Sequence, residues 1–159
     1  MLAGIRTATS SKAEPKNSTQ AIDGWRAIQM KIHVLKKRPE VKTDKVREKR
    51  ISTEILVDAY GASERAMSWY YYLDQQLQFP FLASCIAYRP ISPLEIKDEV
   101  AVIGMAPESE CEREIFVMIE WGKKGLGVPL SQLEGIEVNK ETRRAIGDWH
   151  YWVKKGYEY

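Results

Sequence analysis

Four short apolar runs occupy the middle of the chain, and turn residues separate them. The runs are FLASCIAYR (81–89), EVAVIGMA (99–106), EIFVMIEW (114–121) and GLGVPL (125–130). Short runs of this kind, bounded by Pro, Gly and Ser, predict strands of a small antiparallel sheet or barrel. GKKG (122–125) predicts a tight hairpin between the last two runs. LSQLEGI (130–136) then predicts a single helical turn followed by a last short strand.

A helix is predicted on each side of these strands. Residues 64–78 form the first, with Ser63 as its N-cap and Pro80 as its stop. Helical spacing places one apolar stripe on it, made of Ala66, Tyr70, Leu73 and Leu77. Asn139 is predicted to cap a final helix over residues 140–153. The predicted buried face of that helix contains Ala145, Ile146, Trp149, Trp152 and Val153.

Upstream of the first helix, ISTEILV (51–57) alternates in side-chain direction, which predicts a further strand. The fold class is therefore α+β, a small antiparallel SH3-like β-barrel with a preceding helix and a C-terminal helix. Hairpins followed by a single-turn helix and a short strand are typical of that barrel. We assign residues 48–159 to this single domain. Four of the five tryptophans and all eight tyrosines lie within it, enough to sustain a core.

Charge divides the chain into a basic and an acidic part. Residues 1–51 hold 13 Lys and Arg against 5 Asp and Glu, a balance of +8. Residues 52–159 hold 11 against 17, a balance of −6. We therefore predict a basic, flexible N-terminal arm over residues 1–47, in which the small polar stretch 3–20 is disordered. The basic run 36–50 is either a solvated linker or an electrostatic contact for nucleic acid or anionic lipid, and its lack of interleaved aromatic residues disfavours base stacking.

Several classes of protein are disfavoured by what the sequence lacks. No apolar run approaches the roughly 18 residues of a membrane span, and the first residues do not resemble a secretory signal. There is no GxSxG, Walker loop, GxGxxG or HExxH motif. Of the two histidines, His33 lies in the arm and His150 lies in DWHYW, where packing or hydrogen bonding is expected. Cys85 and Cys111 are expected to be core residues of a reducing compartment, and we predict a protein that is not an enzyme.

Carboxylates are the remaining source of chemistry, and they concentrate in two places. The first is the corner before the first helix, with Asp58 and Glu64. The second is the turn between the second and third apolar runs, with Glu108, Glu110 and Glu112 followed by Glu114. Like charges at close range are relieved by a hard cation, and Ca²⁺ takes six to eight oxygen ligands. No EF-hand pattern is present, so the alternatives are an unconventional calcium site or a solvated acidic face.

Four long strings resemble a known family. They are VDAYGASERAMSWYYYLDQQLQFPF (57–81), RPISPLEIKDEVAVIGMAPESECEREIFVMIEW (89–121), VPLSQLEGI (128–136) and ETRRAIGDWHYWV (141–153). Together they resemble the bacterial CcbP-like calcium-binding family over about residues 47–153. The resemblance implies a cytoplasmic, non-enzymatic protein of SH3-like barrel type that binds Ca²⁺ through surface carboxylates. The family's corner carries a run of acids where this chain has Gly61, Ala62 and Ser63, whereas the acids of APESECERE are kept.

Two hypotheses for function come from different classes. The first is a Ca²⁺ buffer or sensor, with metal ligands Glu108, Glu110 and Glu112 at one locus and Asp58 with Glu64 at another. The second is an SH3-like interaction module for protein or nucleic acid, to which the basic arm adds electrostatic affinity. The opposite charges of arm and domain also suggest self-association. No membrane partner is expected.

Overall fold

The computed structural model describes residues 23–29 and 40–157. The chain divides into two compact units, Met1–Glu40 and Val41–Tyr159. In the first unit, residues 23–29 form a short helix, α1, whose Trp25 and Ile28 are exposed. The predicted disordered stretch 3–20 and His33 lie outside the described residues.

Five antiparallel strands form the sheet of the second unit. They are β1 (Phe81–Cys85), β2 (Glu99–Met105), β3 (Phe116–Trp121), β4 (Lys124–Pro129) and β5 (Leu133–Ile136). The four apolar runs and the last short strand are thus confirmed as strands. Their order across the sheet is β4-β3-β2-β1-β5. The β3–β4 hairpin pairs Trp121 with Lys124, and Gly122 adopts the left-handed conformation (φ 58°) that this tight turn requires.

The sheet is open, so the predicted SH3-like barrel is not confirmed. Within the described residues, β4 pairs with β3 alone and β5 pairs with β1 alone. Closure would need ladder hydrogen bonds between these two edge strands. A one-turn 3-10 helix, Leu130–Gln132, instead carries the chain from β4 to β5 at the opposite edge. The architecture is therefore α+β with an open five-stranded antiparallel sheet.

The strand predicted over residues 51–57 is wrong. Helix α2 (Lys45–Arg50) runs directly into a π-helical turn, Ile51–Ile55. Asp44 caps α2, because its Oδ1 accepts hydrogen bonds from the backbone N–H groups of Val46 and Arg47. Ile51 and Ile55 are both buried, while the residues between them are exposed. A spacing of four fits one face of a helix, so the short apolar pattern was compatible with both periods.

Helices α3 (Ala62–Gln76) and α4 (Lys140–Lys155) confirm the two predicted helices. An aromatic cluster joins them: the Trp69 ring centroid lies 5.2 Å from that of Trp149 and 5.7 Å from that of Trp152. The sequence stripe omitted Trp69, which is fully buried, and included Tyr70, which is half-buried. On α4 the predicted face is buried except for Val153, which is exposed.

A buried carboxylate, Asp148, ties α2 and α3 to α4. Arg50 donates two hydrogen bonds to it, Nε to Oδ2 at 2.8 Å and Nη2 to Oδ1 at 2.5 Å. Arg47 Nε lies 2.9 Å from Oδ1, and the Tyr72 hydroxyl donates to Oδ2 at 3.2 Å. The compact unit begins at Val41, ahead of the boundary drawn at residue 48, because α2 packs into it through these contacts.

Candidate metal site

The corner between the π-helical turn and α3 holds Asp58 and Glu64. Asp58 is exposed and adopts a positive φ of 58°. Glu64 Oε2 accepts hydrogen bonds from the backbone N–H groups of Tyr60 (2.8 Å) and Gly61 (2.9 Å). Gly61 is therefore the N-cap residue, not Ser63, and Glu64 reaches back from the first turn. The backbone N–H of Gly61, followed by that of Tyr60, holds the pKa of Glu64 below its usual value.

Tyr60 connects the two corner carboxylates. Its hydroxyl donates to Asp58 Oδ1 at 3.4 Å, and its backbone N–H donates to Glu64. Both capping bonds use one oxygen of Glu64, whose side chain is exposed. The corner thus presents two exposed carboxylates, one before α3 and one in its first turn.

The second group of predicted ligands lies around a 3-10 turn, Glu108–Glu110, and the bend that follows it. Glu108, Glu110 and Glu112 are all exposed. The hydroxyl of Tyr71 on α3 donates to Glu108 Oε2 at 3.0 Å, which fixes this carboxylate beside the helix. That hydrogen bond raises the pKa of Tyr71.

Tyr70 on α3 also lies against this turn. Burial raises its pKa, and the nearby groups Cys111, Asp74 and Glu108 add to the rise. The hydroxyl of Tyr70 donates to the backbone carbonyl of Ala106, directly before the turn.

Residues 110–114 form the end of the 3-10 turn and the bend that follows it, and Glu114 lies in an ion pair. Arg89 Nη1 and Nη2 donate to the two oxygens of Glu114 at 2.9 and 2.8 Å, and Ser131 donates to Oε1. Glu114 is thus neutralised by a bidentate partner.

The donor chemistry fits a hard cation, but the ligands are sparse. Across residues 23–29 and 40–157, no three His, Cys, Asp or Glu side chains gather closely enough to enclose a metal ion. Asp58 and Glu64 are both hydrogen-bonded to Tyr60, whereas within residues 40–157 no hydrogen bond or ion pair joins them to the turn. Both loci offer only oxygen atoms, the ligands that Ca²⁺ prefers. Either could hold Ca²⁺ only with water completing the coordination shell.

In the described part of the chain, His150, Cys85 and Cys111 each form a hydrogen bond to a backbone carbonyl. The His150 ring Nε2 lies 3.2 Å from the Leu130 carbonyl oxygen, in line with the expected hydrogen-bonding role. Burial lowers the pKa of His150. Cys85 and Cys111 are buried free thiols, and burial raises the pKa of Cys111, which makes it less reactive.

Fold and surface together define a class: a small α+β protein whose surface exposes carboxylate oxygens, the donors that hard cations prefer. The chain belongs to the CcbP calcium-binding family, whose model, described as calcium binding, matches residues 49–153. The predicted resemblance is thereby confirmed.

Two solved structures are similar to this chain. One is the crystal structure of Anabaena CcbP, with 41% identity, a TM-score of 0.68, and coverage of 76% of this chain and 98% of that chain. The other is described as a calcium binding protein in the calcium-binding form, with the same identity and TM-score and coverage of 76% and 99%. No curated protein matches the chain. These findings favour calcium binding over the interaction-module hypothesis.

In the described part of the chain, no helix has both the length and the apolar character needed to cross a membrane.

Proposed function

We propose that this protein binds Ca²⁺ through exposed carboxylates, as a buffer or sensor and without a catalytic step. The ligands are Asp58 and Glu64 at the corner, and Glu108, Glu110 and Glu112 at the 3-10 turn. Family membership supports the metal, and the loop positions support the residues. Calcium is the ion, and not a softer metal, because each locus supplies oxygen donors alone.

One contrast among the carboxylates supports these two loci over Asp148 and Glu114. Asp148 and Glu114 are paired with arginines, so their charge is already neutralised. Within the described residues, none of the five proposed ligands forms an ion pair. Their negative charge is therefore available to a cation, and a bound cation would offset the repulsion between neighbouring carboxylates.

Two of the ligands are positioned in advance. Backbone N–H groups hold Glu64, and the Tyr71 hydroxyl holds Glu108. Preorganisation reduces the entropy lost on binding, but two or three carboxylates leave most of the coordination shell to water. We expect affinity at the weak end of the calcium range, with a dissociation constant on the order of 10⁻⁴ M.

The finer features of the fold and location are part of the same proposal. The strand order and the 3-10 turn before β5 support an SH3-like fold. Free thiols at Cys85 and Cys111 support a reducing compartment such as the bacterial cytoplasm.

The test is a thermal melt of the full chain in chelator, in millimolar Ca²⁺ and in millimolar Mg²⁺. Millimolar Ca²⁺ is about ten times a dissociation constant of about 10⁻⁴ M, and it would add about 1.4 kcal/mol to stability. For a chain of this size that corresponds to a rise of about 3–6 °C in Tm. We expect the rise with Ca²⁺ and a much smaller one with Mg²⁺, which holds its water shell more firmly.

Charge-removing variants locate the site. Glu110→Gln with Glu112→Gln tests the turn, and Asp58→Asn with Glu64→Gln tests the corner, where Gln keeps an oxygen for the capping bonds. The matched control is Glu120→Gln, an exposed carboxylate on β3. If one double variant loses the Ca²⁺-specific rise in Tm while Glu120→Gln keeps it, the result supports a calcium site at the locus changed in that variant. An equal rise with both ions, or one that survives all the variants, would show general screening of an acidic surface and refute the proposal.

A further inference from the structure

The outer face of the sheet carries an apolar row that runs from β5 to β4 and steps along β2 from Ala101 to Ile103. Antiparallel partners lie on the same face, and the ladder pairs Ile136 with Leu82, and Leu82 with Ala101. Ile103 follows on β2, and Met118 on β3 pairs with Gly127 on β4. The core residues Ala83, Val102 and Val117 point to the opposite face, where Gly135 approaches Ile146 of α4.

This row remains open to solvent although it is apolar. Leu82 is 52% exposed and Ile103 is 48% exposed. On β4, Gly125 and Gly127 have no side chain to cover Met118. A Cβ on Gly125 would lie only 2.8 Å from Met118 Cε. Beside Met118 the row opens into a cavity of about 320 Å³, lined by Ala106, Pro107, Glu110, Phe116, Met118 and Gly127. Exposed apolar side chains beside a cavity are a candidate interaction surface.

Acidic residues flank the row on one side. Ser84 pairs with both Glu99 and Glu134, which places these two exposed carboxylates on the outer face, two positions from Leu82. Glu120 lies two residues beyond Met118 and pairs with Gly125, and the β2–β3 register places it next to Ala101. Within the described residues none of the three forms an ion pair. A second copy of this face would bring like charges together, so the partner surface must be basic and apolar.

The dimensions of the row indicate the shape of the partner. Five strands separated by about 4.8 Å give a row of about 19 Å. At 1.5 Å per residue, a helix of about 13 residues spans that length. A helix also matches the arrangement of the apolar row and the acidic residues beside it, because an amphipathic helix presents an apolar stripe next to a charged one. An extended strand with alternating residues would place its apolar and charged side chains on opposite faces.

We propose that the outer face of the sheet is a docking surface for a basic amphipathic helix of a partner protein. Apolar side chains of that helix contact Leu82, Ile103 and Met118, one of them entering the cavity beside Met118. Lysine or arginine side chains of the helix meet Glu99, Glu134 and Glu120. This surface is independent of the proposed calcium ligands, apart from Glu110 at the edge of the cavity.

The probe is a fluorescein-labelled 14-residue peptide of Leu and Lys, with Leu at helical positions i, i+3, i+4 and i+7. Its control replaces every Lys by Glu. Fluorescence anisotropy with the full chain in chelator measures binding without any contribution from calcium. We expect the Leu/Lys peptide to bind and the Leu/Glu peptide to bind at least tenfold more weakly. Affinity for the Leu/Lys peptide should fall as salt rises.

Three variants decide whether binding uses this face. Ile103→Ser, and the pair Glu99→Gln with Glu134→Gln, should each weaken the Leu/Lys peptide about tenfold. Ile91→Ser is the matched control, because Ile91 is 75% exposed in the β1–β2 connection and should have no effect. Circular dichroism confirms that each variant is folded. Absence of binding, equal binding of both peptides, or affinity unchanged by the outer-face variants would overturn the proposal.

Discussion

The buried carboxylate of Asp148 offers a direct test of what holds the N-terminal helix of the compact unit in place. We consider Asp148→Asn, which keeps the side-chain volume and removes the charge. The variant leaves Arg47 and Arg50 without their anionic partner and turns an amide N–H₂ group towards their donors. Arg50 is only 16% exposed and Arg47 is 31% exposed.

The magnitude follows from burial. Removing one partner of a buried ion pair costs about 3–5 kcal/mol, because the other charge is left uncompensated. Water can reach Arg47 in part, which places the expected loss at the lower end, about 3 kcal/mol. For a chain of this size the corresponding decrease in Tm is about 6–12 °C.

Urea unfolding, followed by circular dichroism and tryptophan fluorescence, measures this loss as a shift in midpoint at constant slope. The matched control is Glu114→Gln, which removes the charge of the half-buried Arg89–Glu114 pair and should cost about 1 kcal/mol or less. A loss below 1 kcal/mol for Asp148→Asn, or one equal to that of the control, would refute the argument that burial makes this junction important.

Two more predictions concern the neighbours of this junction. Burial, followed by the charge of Asp148, raises the pKa of Tyr72 to about 12. This folded pKa exceeds that of tyrosine in the unfolded chain, which is near 10. The stability that Tyr72 contributes is therefore complete below about pH 10 and is lost as the pH rises towards 12. An ultraviolet titration in which every tyrosine ionises near pH 10 would contradict this. Trp69→Ala should cost about 3–5 kcal/mol, since the side chain is fully buried between α3 and α4, and a loss under 1 kcal/mol in urea unfolding would show that the cluster repacks.

The strands were predictable because their signals are local. Each apolar run is bounded by turn residues, and Asn139 accepts a hydrogen bond from the Thr142 backbone N–H, as its position before the last helix suggested. The segment 51–57 was not predictable in the same way. Five residues with apolar positions four apart fit the periodicity of a helix and that of a strand equally well. The helical conformation is stabilised by distant residues, since Asp148, which binds Arg50, lies 98 positions away in the sequence.

Closure of the sheet also lies beyond local signals. The sequence predicts hairpins, a single turn and a short strand, and all of them are present. Whether β4 then pairs with β5 depends on twist and on the path of residues 130–132, which no motif specifies.

The candidate metal ligands show the same limit more sharply. In the sequence, Glu110, Glu112 and Glu114 are equivalent members of one acidic run. In the structure, Glu114 is paired with Arg89, which lies 25 positions away in the sequence, so it is not a candidate ligand. Asp148, hidden in an aromatic run, is likewise neutralised by arginines that no local pattern identifies. A carboxylate becomes a candidate ligand when the fold leaves it unpaired, so the number of acids in a segment overstates its capacity for calcium. For this reason the decisive experiments compare unpaired with paired carboxylates, and not acidic with neutral segments.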